Sequence, residues 1–190
     1  MIPLTLSLTL PGWLNTFAAN YRMTTDINGQ MEFIINLARH NIDQNHGGPF
    51  AAGVFASETG KLVALGINSV IAENLAMAHA ELLALTLAQH QLKQFSLGSS
   101  DTHYHLVSSS EPCAMCLGAI CWSGVSRIVC GAEHQAACNI GFDEGPLPQN
   151  WQQQLEQRNI AVNTGVCREF ATKVLRDYQY QGGKIYNPNT

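Results

Sequence analysis

Two short motifs, His79-Ala80-Glu81 and Pro112-Cys113-Ala114-Met115-Cys116, stand 34 residues apart (113 − 79) in this chain, each at the predicted start of a helix. A fold that uses both must bring two helix starts to one point. Zinc favours a tetrahedral shell of imidazole nitrogen and thiolate sulfur, and a catalytic site leaves one of its four positions open. One His and two Cys supply three ligands, which predicts one zinc ion per chain held by His79, Cys113 and Cys116. In Cys-x-x-Cys at a helix start the sulfurs project toward one point, and the positive end of the helix dipole favours their thiolate forms. A metal so held acidifies water toward neutral pH. Glu81 can reach that water without taking the fourth position, accept its proton and return it to a substrate. The alternative for the same residues is a structural zinc closed by His105, Cys138 or His134, in a domain that binds rather than catalyses. A closed site gives Glu81 no task.

The rest of the chain alternates strand and helix patterns. Met31, Ile34, Ile35, Ala38 and Ile42 form the apolar stripe of an amphipathic helix that ends near the cluster 45–49. Residues 50–57 and 62–70, joined by a Gly-containing turn, read as a hairpin. Residues 78–95, closing at Gly98, read as a helix with His79 and Glu81 in its first turn. A strand is expected over 103–109, and a helix from Pro112 through Trp122, since Pro suits a first helical turn. Short elements follow: a strand at 126–131, a helix at 133–139, a Gly- and Pro-rich loop at 141–148, a helix at 151–159, a strand at 160–164 and a helix at 168–180. Such alternation indicates an α/β layered domain with a mixed or largely parallel sheet. Residues 1–30 read as an N-terminal extension in which Leu4, Leu6, Leu8 and Leu10 alternate like a half-buried strand. Residues 31–180 read as the main domain and 181–190 as a polar tail.

Charge narrows the partners. The formal net charge is −4, and between Gln94 and Gln157 Arg127 is the single cation. Gripping a phosphate backbone needs clustered cations, so nucleic acid is disfavoured. The opening Met-Ile-Pro-Leu lacks the positive start of a secretory signal, and no apolar run has membrane-spanning length. The six cysteines suit reduced thiols and a metal rather than a disulfide framework, which points to the cytoplasm. Cys121, Cys130, Cys138 and Cys167 read as small buried residues, and His103 and His105 as structural histidines on one sheet face. Trp122 fits core packing and a pocket wall equally well. Asp143 and Glu144 are loop acids of equal standing.

His-x-Glu followed by Pro-Cys-x-x-Cys is the signature of the zinc nucleobase and nucleoside deaminases. Within that superfamily the chain resembles the small bacterial guanine deaminases over about residues 47–144. The matching stretches are Gly-Gly-Pro-Phe at 47–50, His-Ala-Glu at 79–81, Glu-Pro-Cys-Ala-Met-Cys-Leu-Gly-Ala-Ile at 111–120, Trp122, Ala-Glu-His at 132–134 and Gly-Phe-Asp-Glu at 141–144. The resemblance implies a three-layer cytidine-deaminase-like α/β fold, a mixed five-stranded sheet with helices on both faces. It also implies hydrolysis of guanine to xanthine and ammonia by a homodimer whose C-terminal segments exchange and close each other's sites. Glu81 and Glu144 would handle protons. Phe50, Asn68, His79, Ala80, Trp122, Asp143 and Tyr186 would contact the base, with Tyr178 or Tyr180 as substitutes for Tyr186. Ala51 stands where Gly is usual, and Glu144 is one methylene longer than the usual Asp. Other aminated rings, such as ammeline, related triazines or cytosine, and a tRNA adenosine are the competing substrates.

Overall fold

The computed structural model describes residues 7–99 and 101–188. Strands β1 (Ala51–Ala56) and β2 (Leu62–Ile67) form the expected antiparallel hairpin. Strand β3 (Tyr104–Ser110) pairs antiparallel with β1, and β4 (Arg127–Ala132) and β5 (Ala161–Asn163) follow in parallel, giving a mixed sheet of order β2-β1-β3-β4-β5. Period-two alternation splits the buried side chains between two cores: Ala51, Phe55 and Val107 face one, while Ala52, Val54 and Leu106 face the other.

The first core is covered by helices α1 (Trp13–Ala19), α2 (Ile27–Asp43), α6 (His134–Asn139) and α8 (Arg168–Tyr180). Helix α2 starts where the Asp26 carboxylate accepts from the Asn28 and Gly29 amides, satisfying two otherwise unpaired donors, and it buries Met31, Ile34, Ile35 and Ala38 of the predicted stripe, with Ile42 half-buried at its end. Helices α4 (Ala80–Leu92), α5 (Ala114–Ser123) and α7 (Trp151–Glu156) cover the other face. Ala80, Ala84 and Ala88 line one side of α4 and allow a close approach to the sheet. A Cβ at Gly66 in β2 would run into the Ala80 carbonyl, so this contact sets where α4 begins.

Several boundaries differ from expectation. Val70 does not extend β2; it opens the short helix α3 (Val70–Glu73), which Asn74 stops in the left-handed region. His79 caps α4 in an extended conformation rather than sitting in its first turn, and the helix stops at Lys93 in the left-handed region, ahead of Gly98. Pro112 precedes α5, whose cap is Cys113. Of the alternating leucines, Leu4 and Leu6 lie outside the described residues, and Leu8 and Leu10 are in irregular chain. Helix α1 carries no periodic signal. It spans 7 residues without a side-chain cap and is held by packing on α2, with Trp13 edge-on to His40 at 4.7 Å and Phe17 against Phe33 at 5.0 Å. Among the described residues no helix is long and apolar enough to cross a membrane, and all six thiols are free.

Candidate active site

Helices α4 and α5 both begin at one end of the sheet, and their caps face each other. His79 Nδ1 lies 3.5 Å from Cys113 Sγ and 3.6 Å from Cys116 Sγ. A tetrahedral zinc with ordinary Zn–N and Zn–S lengths requires an N···S edge of about 3.6 Å. The donor set and its spacing therefore fit zinc. Cys113 Sγ also accepts from the Cys116 amide at 3.4 Å, the bond expected of a cap, which fixes the first sulfur before any metal arrives.

None of the residues considered as a closing fourth ligand joins this trio among the described residues. His105 is held by Gln30 and Ser57 on the far face of the sheet. His134 and Cys138 contact each other, one turn apart on α6.

Glu81 is buried beside the trio. Ser108 Oγ donates to its Oε1 at 3.2 Å, and Cys116 Sγ donates to its Oε2 at 3.5 Å. Burial raises its pKa, and the nearby Cys113 thiolate adds to the rise. At Cys113 the thiol pKa falls to about 4, first through the neighbouring Cys116 and then through His79, against the cost of burial. Cys116 moves the other way. Burial works against the imidazolium of His79, but the Cys113 thiolate, Glu81 and Glu144 outweigh it and raise the pKa. Four acidic groups thus face one imidazole, an arrangement that calls for a cation.

The trio opens into a cavity of about 670 Å³, a volume suited to a small molecule. Phe50, Asn68, Ala80, Asp143, Glu144 and Tyr186 line it, together with His79, Glu81 and Cys113. The structure brings these sequence-predicted residues together and leaves one out. Trp122 is 86% exposed and absent from the cavity wall. Helix α5 turns Cys116, Leu117, Ile120 and Ser123 inward, which sends Trp122 out on the same side as Met115 and Gly118. Ala114 and Met115, not Trp122, supply the α5 wall.

The two loop acids are not equivalent. Asp143 is exposed, and its Oδ1 accepts from the Gly145 amide in a turn. Glu144 is part-buried in the wall, and its pKa is pushed up to about 8 by burial first and then by the Cys113 thiolate and Glu81. Its carbonyl accepts from the Ala114 amide at 2.9 Å, which ties the acid's loop to the start of the ligand-bearing helix.

Three further residues build the wall without having been expected. Asn41 of α2 donates to the carbonyls of Gly48 and Asn68, and Asn68 Oδ1 in turn accepts from the Gly48 amide. A polar residue on an otherwise apolar helix stripe was the available signal for Asn41. The Asn187 side chain accepts from the Asp143 amide at 2.9 Å and donates to the Gly141 carbonyl at 3.0 Å, clamping the tail to the acid loop. Glu111 also borders the cavity, but one oxygen accepts from the first amide of α6. Tyr186 of the tail sits edge-on to Phe142, its hydroxyl buried against Gly48 without a well-formed hydrogen bond.

Residues 25–132 match the model of the cytidine and deoxycytidylate deaminase zinc-binding region. The chain is similar to a solved structure described as guanine deaminase from Nitrosomonas europaea, with a TM-score of 0.89 and 41% identity over 95% of this chain and 99% of the other. A second solved structure, in complex with 2,6-diaminopurine, has a TM-score of 0.90 and 43% identity over 98% of both chains. The guanine deaminase of Bacillus subtilis is 34% identical over 66% of this chain and 77% of its own length.

Proposed function

The chain belongs to the cytidine and deoxycytidylate deaminase family and is a zinc-dependent aminohydrolase; from that premise we propose that it hydrolyses the free base guanine to xanthine and ammonia. The observation that carries the reading is the buried Glu81 carboxylate beside the His79, Cys113 and Cys116 trio, in a cavity with room for a free base. The guanine deaminases it resembles supply the choice of ring. No Lys or Arg borders the cavity among the described residues, which favours a neutral base over a polynucleotide.

His79, Cys113 and Cys116 would hold the zinc, which when bound would supply the Lewis acidity that brings ionisation of water near neutral pH. Glu81 accepts the proton of the attacking water and delivers it to a ring nitrogen. Glu144, whose pKa burial holds above the usual carboxylate range, is placed to donate to the departing amino group, while Asp143 shapes the turn that presents it. Phe50 and Phe142 give the ring an apolar wall, and Asn68 together with the His79–Ala80 backbone offers its edge polar partners. Tyr186 caps the cavity from the tail. In this chain the tail closes its own cavity; in a homodimer the same segment, swung across to the second copy, would close the partner's cavity instead, and reduced thiols suit a cytoplasmic enzyme of purine catabolism.

The test is ammonia release by zinc-loaded protein from guanine, ammeline, adenine, cytosine and a tRNA stem-loop. Guanine is expected to give the highest kcat/KM. A preference for ammeline would move the substrate to the triazines, and turnover of the stem-loop alone would overturn the free-base reading.

A further inference from the structure

Strand β3 ends in three consecutive serines, Ser108, Ser109 and Ser110, in the middle of a sheet where Leu106 and Val107 precede them. All three are buried; Ser110 Oγ has no hydrogen-bond partner among the described residues, whereas the other two hydroxyls each have a partner. Ser109 has a structural one, since its Oγ accepts from the Ala51 amide at 3.1 Å. Ser108 faces the other way, toward α4, and its partner is Glu81 Oε1.

We propose that Ser108 is a positioning residue that tethers the Glu81 carboxylate by Oε1 and so assigns Oε2 to proton transfer. The terminal torsion of a glutamate is soft, so a carboxylate without a tether swings between orientations. In this structure each oxygen has one side-chain donor, Ser108 for Oε1 and Cys116 for Oε2. The two oxygens differ in what they face. Oε2 lies on the side of the ligand trio, 3.5 Å from Cys116 Sγ, whereas Oε1 points back to the sheet and to Ser108. Ser108 is paired on both sides, with Ala52 of β1 and Cys130 of β4, so its hydroxyl is carried by the enclosed middle of the sheet. The tether therefore holds Oε1 to the sheet and presents Oε2 to the side where the trio stands.

The kinetic arm of the test rests on the deaminase reading; the spectroscopic arm does not. With zinc-loaded protein and guanine, Ser108→Ala is expected to lower kcat about tenfold to a hundredfold, the range for losing a hydrogen bond to a charged group, with KM within about twofold. In a Glu81→Gln background the same substitution is expected to cost nothing more, because the group it positions is gone. Infrared difference spectra of the zinc-loaded and the metal-free protein should show a carboxylate band shifted by Ser108→Ala and unshifted by it in the Glu81→Gln background. Equal kinetic losses in both backgrounds, a rise in KM alone, or an unchanged carboxylate band would each overturn the tether. If guanine is not turned over at all, the functional reading fails, and the infrared pair still decides whether Ser108 holds Glu81.

Discussion

Strand β3 carries two buried polar constellations three residues apart, one on each face of the sheet. At His105 the polar atoms are met: Nε2 lies 2.6 Å from Gln30 Oε1, Nδ1 lies 3.1 Å from Ser57 Oγ, and Gln30 Nε2 donates to the Thr24 carbonyl. The ring stacks on Phe55 at 5.7 Å, and burial, aided by Arg127, holds its pKa down at about 4. At Ser108 the strand meets Glu81, and beyond it two cysteines and a second carboxylate crowd one imidazole around an open cavity. Both regions are buried, so burial does not separate them. Satisfaction does: the His105 network is closed within the chain, whereas the Glu81 region is completed only by a cation and a ligand.

The sharpest way to break this contrast is Glu81→Gln. It is expected to lower kcat about a hundredfold to ten-thousandfold while zinc content and melting temperature hold, as read by ammonia release, metal analysis and calorimetry. Retained activity would remove the functional half of the comparison. On the other face, His105→Ala should cost about 3 to 4 kcal/mol of stability, through a cavity and two orphaned partners, with kcat per folded molecule unchanged. Urea titration against active-site concentration measures both.

The same network makes a pH prediction of similar but smaller size. His105 stays neutral in the fold down to about 4, whereas its ordinary value is 6.5, so below pH 6.5 the unfolded chain takes up a proton that the native one refuses. Stability should therefore be fully present above pH 6.5 and fall by about 3 kcal/mol as pH drops toward 4. A His105→Gln variant should show a slope reduced by that amount; an identical slope would place the titration elsewhere. The smallest effect is expected at Gly48, where a Cβ would collide with the Tyr186 hydroxyl. Gly48→Ala should raise KM about fivefold to tenfold by displacing the cap, about 1 kcal/mol of binding, and leave the metal content unchanged.

Legibility in the sequence followed locality. The stripe of α2, the hairpin and α8 were readable because apolar spacing reports a neighbouring face directly. The zinc trio was readable because its spacing is a chemical constraint on one small ion. Trp122 was misplaced because α5 is apolar nearly all round, and a helix without a polar side gives no phase. Helix α1 is too short to carry a period. Asn41, Ser108 and Asn187 stayed hidden because their partners stand 7 to 46 residues away in sequence, at Gly48, Asn68, Glu81, Gly141 and Asp143. A hydroxyl or amide shows no preference for such a partner until the chain has folded.

The wall of the cavity is assembled in a fixed temporal order during synthesis. The ligand trio is complete once residue 116 has been made, but Tyr186 arrives 70 residues later (186 − 116), with Asn187 directly behind it. At ordinary translation speeds that interval is roughly 4 to 14 s. A chain still attached to its ribosome thus has its metal ligands before it has the cap over them.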